Sequence, residues 1–97
     1  MKSIDEIRNL IRAHQEELHR RYKARVVGVF GSYVRGEQHA DSDLDILAKF
    51  DSNASLFDLG GAQVMLSELL DLQVDLVPVE DIRPELKANI ALEAIAV

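Results

Sequence analysis

Asp43 and Asp45 stand two positions apart in Ser42-Asp43-Leu44-Asp45, and a third carboxylate, Asp75, lies in Val74-Asp75-Leu76-Val77. Ahead of them runs Gly31-Ser32-Tyr33-Val34-Arg35-Gly36. On a strand, residues two apart project the same way, so Asp43 and Asp45 can grip one hard cation from one side. Asp75, on a neighbouring strand, can reach the same cation or act on a nucleophile beside it. Mg2+ suits this donor set, because it takes a few carboxylates together with phosphate oxygens and keeps waters. Two such ions would stabilise the attacking and leaving oxygens of an in-line phosphoryl displacement. Gly31 and Ser32 supply the complementary half. A glycine lets backbone approach a phosphate, the start of a helix presents free N–H groups to it, and the serine hydroxyl can donate. Arg35, one turn on, adds positive charge.

Each part alone is commonplace. Gly-Ser after a strand is usually a turn, Asp-x-Asp is usually a solvated strand edge, and a lone arginine often ties a turn to a neighbouring carboxylate. The order and spacing of the three together are far more specific.

The elements that must position these residues are legible in the pattern. Ser3 with Glu6 fits a capping box, and Ile4, Ile7, Leu10, Ile11 and Leu18 recur at helical spacing, which predicts a helix running to about Arg21. His14 and His19 on it read as surface or boundary histidines, with no partner in a metal-binding pattern. The cluster Arg20, Arg21, Lys23 and Arg25 reads as a solvated helix end, where cations suit the dipole. Residues 25–30 are a short apolar run ended by Gly31 and predict a buried strand; Gly28 within it predicts close approach of another backbone. A helical turn follows, ended by Gly36, and then a polar loop over 37–41.

Residues 43–50 alternate. Leu44, Ile46, Ala48 and Phe50 should face the core; Asp43, Asp45, Leu47 and Lys49 should face outward. Ser55 and Asp58 open a second long helix over about 56–70, with Leu56, Leu59, Leu66, Leu69 and Leu70 as its apolar stripe. Its Gly60-Gly61 pair either weakens it or permits tight packing. Residues 73–79 predict a third strand with Asp75 opposite Val74 and Leu76. Pro84 opens a last helix to about Glu93. The apolar end Ala94-Ile95-Ala96-Val97 has no polar cap and should dock, on its own domain or on a partner. The order α-β-α-β-α-β-α indicates an α/β (α+β) fold: a small sheet with helices over one face, expected as one domain over 1–97.

Composition narrows the class. A chain of 97 residues suffices for one modest core. No apolar run can span a bilayer, no signal peptide opens the chain, and there is no cysteine, so a cytoplasmic setting is expected. A net charge of −6 argues against direct, sequence-independent nucleic-acid binding.

The Gly-Ser motif at 31–36, the Asp-x-Asp at 43–45 and the third Asp in Val74-Asp75-Leu76-Val77 resemble the DNA polymerase β-like nucleotidyltransferase superfamily. The short length and the Arg-Gly and Ser-Asp spelling are similar to its minimal nucleotidyltransferases, the MntA-type antitoxins paired with HEPN-domain toxins. The resemblance spans residues 25–79 and implies a mixed sheet. It implies that Asp43 and Asp45 bind two Mg2+ ions carrying the triphosphate of ATP. It implies that Asp75 binds one metal and acts on the incoming hydroxyl, and that Gly31 and Ser32 hold the β- and γ-phosphates. The implied reaction is transfer of AMP to a tyrosine of a HEPN partner, in a hetero-oligomer. Two other readings stand beside it: a nucleotidyltransferase acting on a small molecule such as an antibiotic, and a non-catalytic antitoxin that occludes its toxin.

Overall fold

A computed structural model describes residues 2–37 and 42–97. The elements are α1 (Ile4–Tyr22), β1 (Ala24–Phe30), α2 (Ser32–Arg35), β2 (Leu44–Phe50), α3 (Leu56–Leu70), β3 (Val74–Pro78), a 3-10 turn (Val79–Asp81), α4 (Pro84–Glu93) and β4 (Ile95–Ala96). The four strands form one mixed sheet in the order β3-β2-β1-β4. β2 pairs parallel with β3, and β1 pairs antiparallel with β2 and with β4. Of the polar loop expected over 37–41, residues 38–41 lie outside the described residues.

α1 starts where its cap dictates: Ser3 Oγ accepts from the Glu6 N–H at 3.1 Å, and the Ser3 N–H donates back to Glu6 at 3.4 Å. Its buried face is Ile7, Ile11 and Leu18. α3 starts with Asp58 accepting from the Ser55 N–H at 2.9 Å and buries Ala62, Leu66 and Leu70. That hydrogen bond, with Lys23 at 3.4 Å in support, holds the Asp58 carboxyl below its ordinary range. These faces close over Val26, Val29, Leu44, Ile46, Ala48, Val74 and Leu76, which form the covered side of the sheet. Strand alternation then turns Asp43, Asp45, Leu47 and Lys49 to the other side, as the pattern of β2 requires.

The expected stripe of α3 needs one correction. Leu56 is 83% exposed and its neighbour Phe57 is 91% exposed, so the helix buries residues only from Leu59 onward. Its Gly60-Gly61 pair divides in role: a Cβ on Gly60 would meet open space, whereas one on Gly61 would sit 2.2 Å from the Tyr22 ring. Tight packing of α1 against α3 is therefore the use of the second glycine.

The C-terminal end docks on its own sheet. Ile95 and Ala96 form β4 against Val29 and Gly28, the Val97 N–H donates to Val27 O at 3.1 Å, and Arg8 donates to Ala96 O at 2.9 Å. Gly28 is the residue that permits this. A Cβ there would stand 2.9 Å from Ile95 O, a backbone atom with nowhere to go.

Candidate active site

The chemistry-bearing residues gather at one end of the sheet. β1 ends there, and β2 and β3 begin there. Cα registers place Phe30 beside Asp45 and Asp45 beside Asp75, so one row crosses three strands. Gly31 follows immediately, and α2 carries Ser32 and Arg35 away from the same edge. Asp43 precedes β2 and is exposed, as is Asp75; Asp45 between them is half-buried. The face is open. A cleft lined by Phe50, Leu56, Leu59 and Pro78 lies at the far end of β2, away from the carboxylates.

Gly31 is packed on Asp45. Its backbone, at φ 84° and ψ −156°, lies where only glycine is comfortable, and a Cβ there would fall 2.0 Å from Asp45 Oδ2. α2 is a single turn, with Val34 and Arg35 donating to Gly31 O and Gly36 capping it in the left-handed region. Tyr33 is buried and pins the turn to the core.

Electrostatics mark Asp45. Its carboxyl is pushed up to about 6, first by partial burial, then by the charges of Asp75 and Asp43, with Arg35 opposing. A cation would relieve that repulsion, and an all-oxygen carboxylate set is the donor chemistry Mg2+ accepts. The residues therefore fit a divalent metal. Among the described residues, however, no three His, Cys, Asp or Glu side chains close on one point as a ready-made cage. Such a set would need ligands from elsewhere, phosphate oxygens in particular.

One residue at this site carries no signal in the sequence motif. Glu93, the last residue of α4, accepts from the Gly31 N–H at 2.9 Å, and the same oxygen accepts from Arg35 Nη1. Arg35 Nε donates to Glu37 at 3.1 Å. These two carboxylates raise the Arg35 guanidinium above its ordinary range, Glu37 first through its hydrogen bond. The Gly31 N–H is thus bonded within the chain, to a carboxylate from the far end of α4. The only hint in the chain is that Glu93 is the sole charged residue between Asn89 and Val97.

His14, His19 and Arg21 have partners away from this site. His19 pairs with Asp51 at 2.8 Å, His14 Nδ1 lies 2.8 Å from Leu10 O, and Arg21 bonds Glu17 and lies over the Tyr22 ring. Among the described residues no helix is long and apolar enough to cross a membrane.

Residues 11–97 match the family described as Nucleotidyltransferase domain. The chain belongs to that family. The "Protein adenylyltransferase MntA" of Thermococcus cleftensis is 44% identical over 91 residues, covering 94% of this chain and 88% of the relative. A solved structure of a minimal nucleotidyltransferase superimposes with a TM-score of 0.81 at 34% identity, covering 99% and 97% of the two chains. A toxin–antitoxin crystal structure with AMP-PNP gives a TM-score of 0.69 at 27% identity, covering 91% of this chain and 69% of the other.

The raised carboxyl of this nucleotidyltransferase has a consequence for stability. The folded value of Asp45, about 6, lies above its ordinary 3.8, so folding favours the protonated form. The associated penalty is absent below about pH 4, grows as pH rises towards 6, and is complete above that. The half-exposed position screens it to about 1 kcal/mol. Metal-free Asp45→Asn should therefore melt about 4–8 °C above wild type at pH 7 and level with it at pH 4. Thermal unfolding of both proteins across that range checks this; a pH-independent difference would contradict it.

Proposed function

We propose that this nucleotidyltransferase is a magnesium-dependent protein adenylyltransferase and antitoxin, moving AMP from ATP to a tyrosine hydroxyl of a HEPN toxin. The observation that carries the reading is the row Asp45–Asp75 with Gly31 packed against Asp45. The MntA relative supports the adenylyl group and the protein acceptor, and the AMP-PNP complex supports a nucleotide and a toxin partner. Tyrosine as the acceptor, and a HEPN fold for the partner, rest on the family resemblance. The catalytic unit is residues 1–97 as a single domain, working in the cytoplasm, in a hetero-oligomer with its toxin and without direct contact to nucleic acid.

Asp43, Asp45 and Asp75 would hold two Mg2+ ions, which when bound supply charge neutralisation at the attacking and leaving oxygens. Gly31, Ser32 and Arg35 would hold the outer phosphates and so aim the α-phosphorus at the acceptor oxygen beside Asp75. Asp75 orients the acceptor hydroxyl and takes its proton. The acceptor oxygen forms a bond to the α-phosphorus, the bond from that phosphorus to the β-bridging oxygen breaks, and pyrophosphate leaves. The exposure of Asp43 and Asp75 supports a partner that covers the site. The reacting atoms must be held about 3–3.5 Å apart and shielded from water, and the toxin surface provides that cover.

Because the carboxylates make no preformed cage among the described residues, metal and nucleotide should each strengthen the binding of the other. Titration calorimetry with Mg2+ and a non-hydrolysable ATP analogue is expected to show each ligand tightening the other at least tenfold. Tight Mg2+ binding without nucleotide, or independent binding of the two, would count against the assignment.

A further inference from the structure

Glu93 lies 62 residues from Gly31 in sequence, yet one of its carboxylate oxygens receives both the Gly31 N–H and Arg35 Nη1. Both partners border Asp45: Gly31 by direct packing, and Arg35 closely enough to oppose the rise in the Asp45 carboxyl. Glu93 is itself placed from two sides. It ends α4, and β4 begins two residues later, paired to β1 just ahead of Gly31. No residue of α4 is buried, so the helix is anchored here through its terminal carboxylate and the strand that follows.

The bonds on Arg35 divide its donors. Nε is held by Glu37 and Nη1 by Glu93, while no carboxylate of the described residues engages Nη2. A guanidinium gripped on two positions is fixed in plane and keeps the third nitrogen for another acceptor. The Gly31 bond does matching work for the backbone. It gives a glycine in a backbone conformation open only to glycine a charged acceptor, and so holds it against Asp45.

From this geometry we propose that Glu93 is a positioning residue of the adenylyl-transfer site. It fixes Gly31 and Arg35 so that the nucleotide triphosphate meets an already ordered cradle beside Asp45. This rests on the reading of Gly31–Arg35 as the triphosphate-binding turn. It has an opposite in sign, in which Glu93 is an internal anion that triphosphate must displace. Ordering predicts that losing Glu93 weakens nucleotide binding; displacement predicts that it tightens binding.

The test uses the full chain with Glu93→Gln and Glu93→Ala. Glutamine keeps an acceptor for the Gly31 N–H and loses the charge on Arg35; alanine loses both. Binding of the non-hydrolysable ATP analogue with Mg2+ should weaken about threefold in the first variant and tenfold or more in the second. In the transfer reaction KM for ATP should rise by similar factors while kcat changes less. A purely structural role would lower the active fraction, and so kcat, at constant KM. Arg35→Ala should cost less in the Glu93→Ala background than in wild type, because part of what Arg35 contributes depends on its contact with Glu93. Equal or tighter nucleotide binding by a folded Glu93→Gln protein would overturn the proposal, and that isosteric variant decides it even where Glu93→Ala does not fold. If nucleotide binds and responds to Glu93 but no AMP reaches the partner, the transfer reading fails and this one stands. If wild type binds no nucleotide, both fall.

Discussion

Replacing Asp45 or Asp43 by Asn is expected to reduce AMP transfer at least about a thousandfold while leaving the fold intact. The proposed metal ions would supply several kcal/mol of transition-state stabilisation, and each 1.4 kcal/mol is a factor of ten in rate. Asparagine keeps the size of the side chain and removes the anionic oxygen a hard cation needs. The fold should not suffer, because Asp45 stands in mutual repulsion with Asp75 and Asp43 and its replacement relieves that repulsion in the metal-free protein. The measurement is initial rate with circular dichroism and melting temperature on the same preparations. Lost activity together with a melting temperature lowered by ten degrees or more would instead make these carboxylates structural.

Gly31→Ala should be the most damaging small change. The added methyl must occupy space 2.0 Å from Asp45 Oδ2, and alanine must also adopt φ 84°. The backbone cost is roughly 1–3 kcal/mol. Relief by moving either Gly31 or Asp45 displaces the site by about 1 Å, and a misplacement of that size can cost about a hundredfold in rate. The expected outcome is a protein that still folds, at a lower melting temperature, with transfer down at least about a hundredfold. Ala at Gly60, inside α3 where a Cβ meets open space, is the control: transfer should stay near wild type, and the melting temperature should rise rather than fall, since Ala in a helix interior is favoured over Gly by about 1 kcal/mol. Comparable activity of Gly31→Ala and Gly60→Ala would remove Gly31 from the site.

What the chain reveals without its structure follows from how local each feature is. The outward placement of Asp43, Asp45 and Lys49 and the inward placement of Leu44, Ile46 and Ala48 are written in a period of two, and β2 obeys it. A glycine within a strand marks a bulge or a close backbone, and Gly28 has both: the register of β1 on β2 shifts between Val26 and Gly28, and the close neighbour is Ile95. The identity of that neighbour was not legible. A two-residue strand such as β4 has no periodicity of its own and exists only through its pairing with β1. Leu56 was misplaced because the helical stripe does not say where a helix overhangs its sheet. Glu93 stayed hidden for the same long-range reason: only the tertiary fold brings the end of α4 to Gly31 and Arg35. The part of the site that is local, 31–36 and 43–45, was readable as chemistry; the carboxylate that orders it was not.

The central claim is that this nucleotidyltransferase moves AMP from ATP to a partner protein. It is tested most directly by incubating the purified chain with α-labelled ATP, Mg2+ and its cognate HEPN protein, and following label on each protein and on free alcohols. The account predicts label on a tyrosine of the partner, lost with Asp45→Asn and lost without Mg2+, with little transfer to free tyrosine or small alcohols. Efficient labelling of a small-molecule alcohol by the chain alone would contradict it, as would neutralisation of the toxin with no label transferred.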